Sequence, residues 1–123
     1  MGVPSSQLVS MGSLFLVIFV SGLMLNRFGR PYNVLTMTFH KLISLATLYR
    51  LFETIYQTYM GAGFDYVGYA LSALTGLCFI GSIITGGLVS IENQRTALIE
   101  KMHGVLPALT VVLAALTLFL ISV

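Results

Sequence analysis

The chain has 123 residues, of which 57% are hydrophobic and only 8% are charged. Because a soluble domain carries roughly 25% charged residues, this composition indicates a membrane protein rather than an ordinary soluble domain. The formal net charge of +2 is too small to indicate nucleic-acid binding. Cys78 is the only cysteine, so no disulfide can form within the chain, and no Cys-x-x-Cys-His motif is present for covalent haem attachment.

Four apolar stretches follow one another along the chain. They cover Gln7–Asn26, Val34–Tyr56, Tyr66–Ile91 and Thr96–Ile121. Each reaches the ~20 residues that a helix needs to cross a hydrocarbon core of ~30 Å. We therefore predict an all-α fold, a four-helix transmembrane bundle that forms a single domain over residues 1–123. We expect a multi-pass protein of a prokaryotic cell membrane, with the lipid bilayer as its surroundings.

The distribution of basic residues predicts the orientation of these spans. No positive residue precedes the first stretch, and Arg27 and Arg30 follow it, which is the pattern of a span rather than of a cleaved signal peptide. The third connection holds Arg95, whereas the second connection, Met60–Asp65, has no lysine or arginine. The positive-inside rule then places the first and third connections in the cytoplasm and both termini outside.

Several residues predict where the helices begin and end. Pro31 suits the first position of the second helix, where a missing N–H costs nothing. Gly61 and Gly63 are typical of a helix end, and Asp65 is a suitable N-cap for the third helix. Glu92–Arg95 is predicted to form a polar turn between the third and fourth helices.

The two halves of the chain share a short pattern. In the first half Ser21-Gly22 precedes a polar turn and then His40, and in the second half Thr85-Gly86 precedes a polar turn and then His103. The glycine lies 18 residues before its histidine in the first half and 17 in the second. We interpret this as a parallel two-helix repeat, with its pseudo-symmetry axis along the membrane normal.

The two histidines are the strongest indication of function. His40 and His103 are the only histidines, and each lies about two turns into an even-numbered span. Even-numbered spans run in the same direction, so both imidazoles are expected at one depth in the cytoplasmic half. Ionisable residues inside a membrane usually mark a functional site. Two neutral imidazoles across a gap are the axial ligands of an iron porphyrin, so we predict one haem b with His40 and His103 as its metal ligands.

Small residues accompany each histidine. Ser44 and Thr47 share the helix face of His40, and Thr110 shares the face of His103. Gly22 and Gly86 lie at about the depth of the histidines, where a missing side chain permits close approach of another group. We predict that these five residues line the cofactor site, although small residues serve equally for contact between neighbouring helices.

The basic residues and the remaining polar residues leave further alternatives. Five basic residues lie on the predicted cytoplasmic side and would direct the haem propionates there: Arg27, Arg30, Lys41, Arg95 and Lys101. A zinc site would need additional Cys, His or carboxylate ligands. Arg50 and Glu53 lie one helical turn apart and can pair with each other, and a pocket for a quinone or another polar ligand is the alternative.

The chain resembles small membrane b-type cytochromes, including the haem-binding bundles of quinone-linked dehydrogenases. The likeness lies in Phe39-His40-Lys41-Leu42 and Lys101-Met102-His103-Gly104, on the second and fourth of four helices. Many such cytochromes hold two haems with four histidines, whereas two histidines can ligate one. The resemblance therefore implies a single low-spin haem and one-electron exchange.

We expect an electron carrier rather than an enzyme, because no constellation of catalytic acid, base or nucleophile is visible. The quinone pool or a redox partner protein is the expected partner, and the chain could form an oligomer or a subunit of a larger complex. One alternative is a haem-free subunit or scaffold, since small-residue steps such as Ser72 to Gly76 suit helix contacts. A small multidrug-type transporter is the other, but those proteins have an acidic residue in the first span, and Gln7–Asn26 has no charge.

Overall fold

The computed structural model describes residues 3–29, 31–91, 93 and 96–122, without the side chains of residues 62 and 122. Within these ranges the chain forms four α-helices and no strand, which confirms the predicted all-α class. The helices are α1 (Ser5–Phe28), α2 (Val34–Ala62), α3 (Tyr66–Ser90) and α4 (Ala97–Ser122). The predicted polar turn at Glu92–Arg95 lies mostly outside the described residues, as does Arg30.

A glycine with a positive φ follows each of the first two helices, α1 and α2. Gly29 has φ of 69° and donates its N–H to the carbonyl of Leu25 at 3.1 Å. Gly63 has φ of 76° and donates its N–H to the carbonyl of Tyr59 at 2.7 Å. Since L-residues with side chains rarely adopt these angles, glycine is the residue that lets each helix end with its last carbonyls satisfied.

The predicted helix starts were right at one position and wrong at another. Asp65 caps α3, because its carboxylate accepts a hydrogen bond from the N–H of Gly68 at 2.8 Å. Pro31, however, is not the first residue of α2, which begins at Val34. The Asn33 side chain accepts a hydrogen bond from a backbone N–H of the first turn at 3.1 Å. An asparagine cap satisfies a helical N–H that proline leaves unpaired, so the cap sets the start of the helix.

The chain divides into two compact units, and the boundary between them falls within α2. The N-terminal unit covers Val3–Thr54, and the C-terminal unit begins at Ile55. In the C-terminal unit α3 and α4 run antiparallel, with Thr75 Oγ1 3.0 Å from Thr117 Oγ1 at one level. Nearer the other end, Ser82 Oγ lies 3.4 Å from the hydroxyl of Thr110.

Small hydroxyl residues are numerous among the buried side chains. They are Ser21, Thr47 and Thr54 in the N-terminal unit and Thr75, Ser82, Thr85, Thr110 and Thr117 in the C-terminal unit. Several donate to a carbonyl one turn back on their own helix, as Thr47 does to Ile43 at 2.7 Å. Such bonds satisfy the hydroxyl without a partner helix and let the helices pack closely.

The described residues include three helices that are long and apolar enough to cross a membrane, namely α1, α3 and α4. Large apolar side chains lie on the outer surface, among them Leu35, which is 81% exposed. A bilayer satisfies such a surface, whereas water does not, so the chain is a membrane protein. The membrane-spanning role of α2 stays a prediction, because Arg50 and Glu53 reduce its apolar character.

Arg50 and Glu53 form the ion pair that their spacing predicts. Arg50 Nη1 donates to Glu53 Oε2 at 3.0 Å, and the two side chains are 43% and 33% exposed. The pair offsets both charges on one helix, which lowers the cost of placing α2 near lipid. We therefore interpret Arg50 and Glu53 as partners of each other.

The predicted orientation can be tested by labelling single cysteines from outside intact cells. We expect Tyr66→Cys to react with a membrane-impermeant maleimide and Pro31→Cys to react only after permeabilisation, both in a Cys78→Ser background. Pro31 and Tyr66 are exposed, whereas a cysteine at Gly29 or Gly63 would be strained by the positive φ. External labelling of Pro31→Cys with protection of Tyr66→Cys would reverse the assignment.

Candidate functional site

His40 packs on α1 of its own unit. A Cβ atom at Gly22 would lie only 3.1 Å from His40 Cε1, so the imidazole occupies the space that glycine leaves open. The neighbouring Ser21 is 4% exposed, and its Oγ lies 2.8 Å from His40 Nδ1. The approach that Gly22 permits is therefore that of the histidine ring, which Ser21 and Gly22 hold together. We call Ser21, Gly22 and His40 the N-terminal histidine site.

The hydrogen bonds of Ser21 favour one tautomer of His40. A serine hydroxyl has one hydrogen, and Ser21 donates it to the carbonyl of Ile18 at 2.9 Å. When its hydrogen is donated to Ile18, the serine oxygen accepts from His40 Nδ1 at 2.8 Å, which corresponds to the Nδ1–H tautomer. In a neutral imidazole with Nδ1–H, the lone pair lies on Nε2.

His103 is held in the same manner on α3 of the C-terminal unit. Its Nδ1 lies 3.0 Å from the carbonyl of Ser82 and 3.2 Å from Thr85 Oγ1. A carbonyl can only accept, so Nδ1 carries the proton and Nε2 the lone pair. A Cβ atom at Gly86 would lie 2.8 Å from His103 Cε1, closer than real contacts allow. We call Ser82, Thr85, Gly86 and His103 the C-terminal histidine site.

The two histidine sites are built alike. In each, a hydroxyl residue and the glycine after it meet the histidine of the next helix, 19 residues after Ser21 and 18 after Thr85. Each hydroxyl also lies within hydrogen-bond distance of the carbonyl three residues before it, at 2.9 Å for Ser21 and 3.1 Å for Thr85, and Thr85 has a shorter bond of 2.9 Å to the carbonyl of Gly81. The repeat predicted from the sequence is thus present in the hydrogen bonds of both units.

The other residues predicted to line a cofactor site bond to their own helices. Ser44 Oγ donates to the carbonyl of His40 at 2.7 Å. Thr47 and Thr110 are almost completely buried, and Thr110 donates to the carbonyl of Leu106 at 2.8 Å. Thr110 also reaches Ser82, whose carbonyl accepts from His103. These residues shape the helix faces beside the histidines, and their contact with a cofactor stays a prediction.

The sequence places a hydroxyl residue at the same point of each repeat, but the spacing does not show that this residue contacts the histidine. Ser21 and Thr85 each stand immediately before the glycine of the repeat. Their side chains bond to the histidine only because consecutive helices bring them together. The Ser82 carbonyl is a backbone atom and leaves no mark in a pattern of side chains.

Basic residues near the histidines are exposed where the structure describes them. Arg27, Lys41 and Lys101 lie at the surface, and Arg95 lies outside the described residues. Within the described part of the chain, no three His, Cys, Asp or Glu side chains are grouped as a metal site would require. Haem iron draws its equatorial ligands from the porphyrin, so a protein needs to supply only the axial ones.

Comparisons with protein-family models, with curated proteins and with solved structures find no match to this chain.

Proposed function

We propose that the chain is a haem b-binding membrane cytochrome, with His40 and His103 as the two axial ligands of one haem. The observation that supports this most is that an oxygen able to accept a hydrogen bond lies within 3.0 Å of Nδ1 at both histidines, an arrangement that favours Nδ1–H and a lone pair on Nε2. Neutral imidazole binds iron through such a lone pair. Ligating histidines commonly donate their other N–H to a carbonyl or a similar acceptor, and both sites have one.

The protein residues have a limited task in this proposal. The two histidine sites would hold neutral imidazoles in one tautomer, with each ring partly buried against the preceding helix. Haem b supplies reversible exchange of one electron between ferric and ferrous iron. Two histidine ligands leave no coordination position for oxygen, which favours electron transfer over oxygen chemistry.

The membrane setting suggests the redox partner and the location. Apolar helices place the chain in a bilayer, where a lipid-soluble quinone or another membrane redox protein is accessible. We propose the quinone pool as the source or acceptor of the electron, and a multi-pass arrangement in a prokaryotic cell membrane. Quinone-dependent oxidation of the reduced protein in nanodiscs would test the partner separately from haem binding.

The visible spectrum of the purified protein tests haem binding directly. We expect a Soret band and sharp α and β bands on reduction, with a spectrum unchanged by carbon monoxide because both axial positions are filled. A pyridine haemochrome assay set against protein concentration should give one haem b per chain, since the chain has two histidines.

Two results would contradict the proposal. A colourless protein from haem-supplied cells, which also fails to take up added haem, would favour the haem-free subunit or scaffold. One haem for every two chains would mean that each chain supplies a single ligand. A soluble-tag fusion expressed in the same cells controls for haem supply and for non-specific haem uptake.

A further inference from the structure

We propose that Ser21 is a positioning residue, which fixes the tautomer and the direction of the His40 ring, whereas Thr85 adds a second acceptor beside the Ser82 carbonyl at His103. Neither residue need touch a cofactor to do this. The effect on the histidine tautomer is independent of the proposed function, whereas the effect on haem affinity rests on it.

The hydroxyl of Ser21 is suited to this task because its hydrogen is already committed. It donates to the carbonyl of Ile18 and lies buried at 4% exposure, so the side chain has little freedom to turn. Its oxygen then presents a lone pair to His40 Nδ1 at 2.8 Å. An acceptor held in this way favours Nδ1–H over Nε2–H, because in the alternative tautomer the Ser21 hydroxyl would have to turn its hydrogen to His40 Nδ1 and give up its bond to the Ile18 carbonyl.

Thr85 has the same arrangement, with one difference. Its hydroxyl lies 2.9 Å from the carbonyl of Gly81 and 3.1 Å from that of Ser82, and His103 Nδ1 lies 3.2 Å from its oxygen. The Ser82 carbonyl also accepts from His103, at 3.0 Å. Because a side-chain substitution leaves that carbonyl in place, His103 keeps one acceptor when Thr85 is lost.

The glycines explain why the hydroxyl can control the whole ring. Gly22 and Gly86 place the ring edge against the backbone of the preceding helix, at Cβ-equivalent distances of 3.1 and 2.8 Å to Cε1. The backbone thereby limits the ring along this edge. The freedom that remains is rotation about the side-chain bonds of the histidine. The hydrogen bond at Nδ1 removes that freedom and directs Nε2 away from the hydroxyl.

The test is the nitrogen-15 NMR spectrum of haem-free protein labelled only at histidine. Two histidines give four ring nitrogen signals, which His→Gln variants assign. We expect both rings as Nδ1–H in the wild type. In Ser21→Ala we expect His40 to shift towards Nε2–H, while the His103 signals stay unchanged and report that the protein is folded.

Matched variants separate positioning from a general loss of structure. Ser21→Thr should retain Nδ1–H at His40, because threonine occupies the equivalent place in the C-terminal unit. Thr85→Ala should leave His103 as Nδ1–H, held by the Ser82 carbonyl. Ser13→Ala is the control on α1, since Ser13 is exposed and donates to the carbonyl of Val9 at 2.9 Å.

The redox consequence is measured on the haem-loaded protein. Loss of an acceptor behind a ligating histidine typically costs ~10–100-fold in metal affinity, and we expect a weakening of that order for Ser21→Ala and recovery in Ser21→Thr. The reduction potential should rise in Ser21→Ala, because a less basic imidazole stabilises ferric iron less.

The outcomes distinguish the two proposals. An unaltered His40 tautomer in Ser21→Ala would overturn the role of Ser21, even if the protein binds haem as expected. If both histidines are Nδ1–H in a wild-type protein that binds no haem, the positioning role stands and the proposal of a haem-binding cytochrome is overturned.

Discussion

Replacing either His40 or His103 with alanine is expected to remove the low-spin haem spectrum, although each variant keeps the other histidine. Low-spin iron in a b-type cytochrome requires two strong axial ligands, and one imidazole leaves five-coordinate, high-spin iron. Because the two histidine sites are built alike, the two variants should behave alike. The measurement is the electron paramagnetic resonance spectrum of the ferric protein, together with its haem content.

Neighbouring substitutions and added imidazole provide the controls. Phe39→Ala and Met102→Ala remove exposed residues next to each histidine, at 51% and 40% exposure, and should leave the spectrum unchanged. Free imidazole should restore the low-spin signal in each alanine variant by replacing the missing ring. If one variant retained the wild-type low-spin signal without added imidazole, the altered histidine would not be a ligand.

The helices could be predicted from the sequence because their signals are local. Four apolar stretches gave four helices, and Gly63 and Asp65 set the boundary between α2 and α3 as expected. Pro31 was misleading, because proline and asparagine both suit a helix start and the distance between them is two residues. The Asn33 side chain accepts a hydrogen bond from the backbone N–H of Thr36, and this contact sets the start of α2.

The histidine sites could be predicted only in part. The sequence drew attention to Gly22, Gly86 and their histidines as matched pairs. It could not show that the ring itself lies against each glycine, because this depends on how two consecutive helices pack. The tautomer depends further on the hydroxyl hydrogen of Ser21, which points to a carbonyl on the same helix.

Replacing Gly86 with alanine is expected to displace His103. The added Cβ would lie 2.8 Å from Cε1, 3.3 Å from Nε2 and 3.4 Å from Nδ1, so rotating the ring in place cannot relieve the contact. The ring must move as a whole and lose its hydrogen bonds to Ser82 and Thr85. Overpacking of this kind costs about 1–3 kcal/mol, and we expect destabilisation of that order together with loss of bound haem.

The adjacent glycine supplies a matched control for this experiment. Gly87 has nothing within 4 Å of the position of an added Cβ, so alanine there meets no obstacle. Alanine also favours a helix over glycine by about 1 kcal/mol, so Gly87→Ala should be neutral or slightly stabilising. Gly22→Ala should lie between the two, because its nearest contact with His40 is 3.1 Å.

Unfolding in a graded denaturant and the histidine NMR signals together read out the result. Destabilisation of Gly86→Ala with altered His103 signals and normal His40 signals would place the effect at the C-terminal histidine site. A Gly86→Ala protein with wild-type His103 signals and wild-type haem content would contradict the close packing of ring on glycine. Because Gly86→Ala and Gly87→Ala add the same methyl group to neighbouring residues of one helix, a difference between them reports the histidine contact rather than helix propensity.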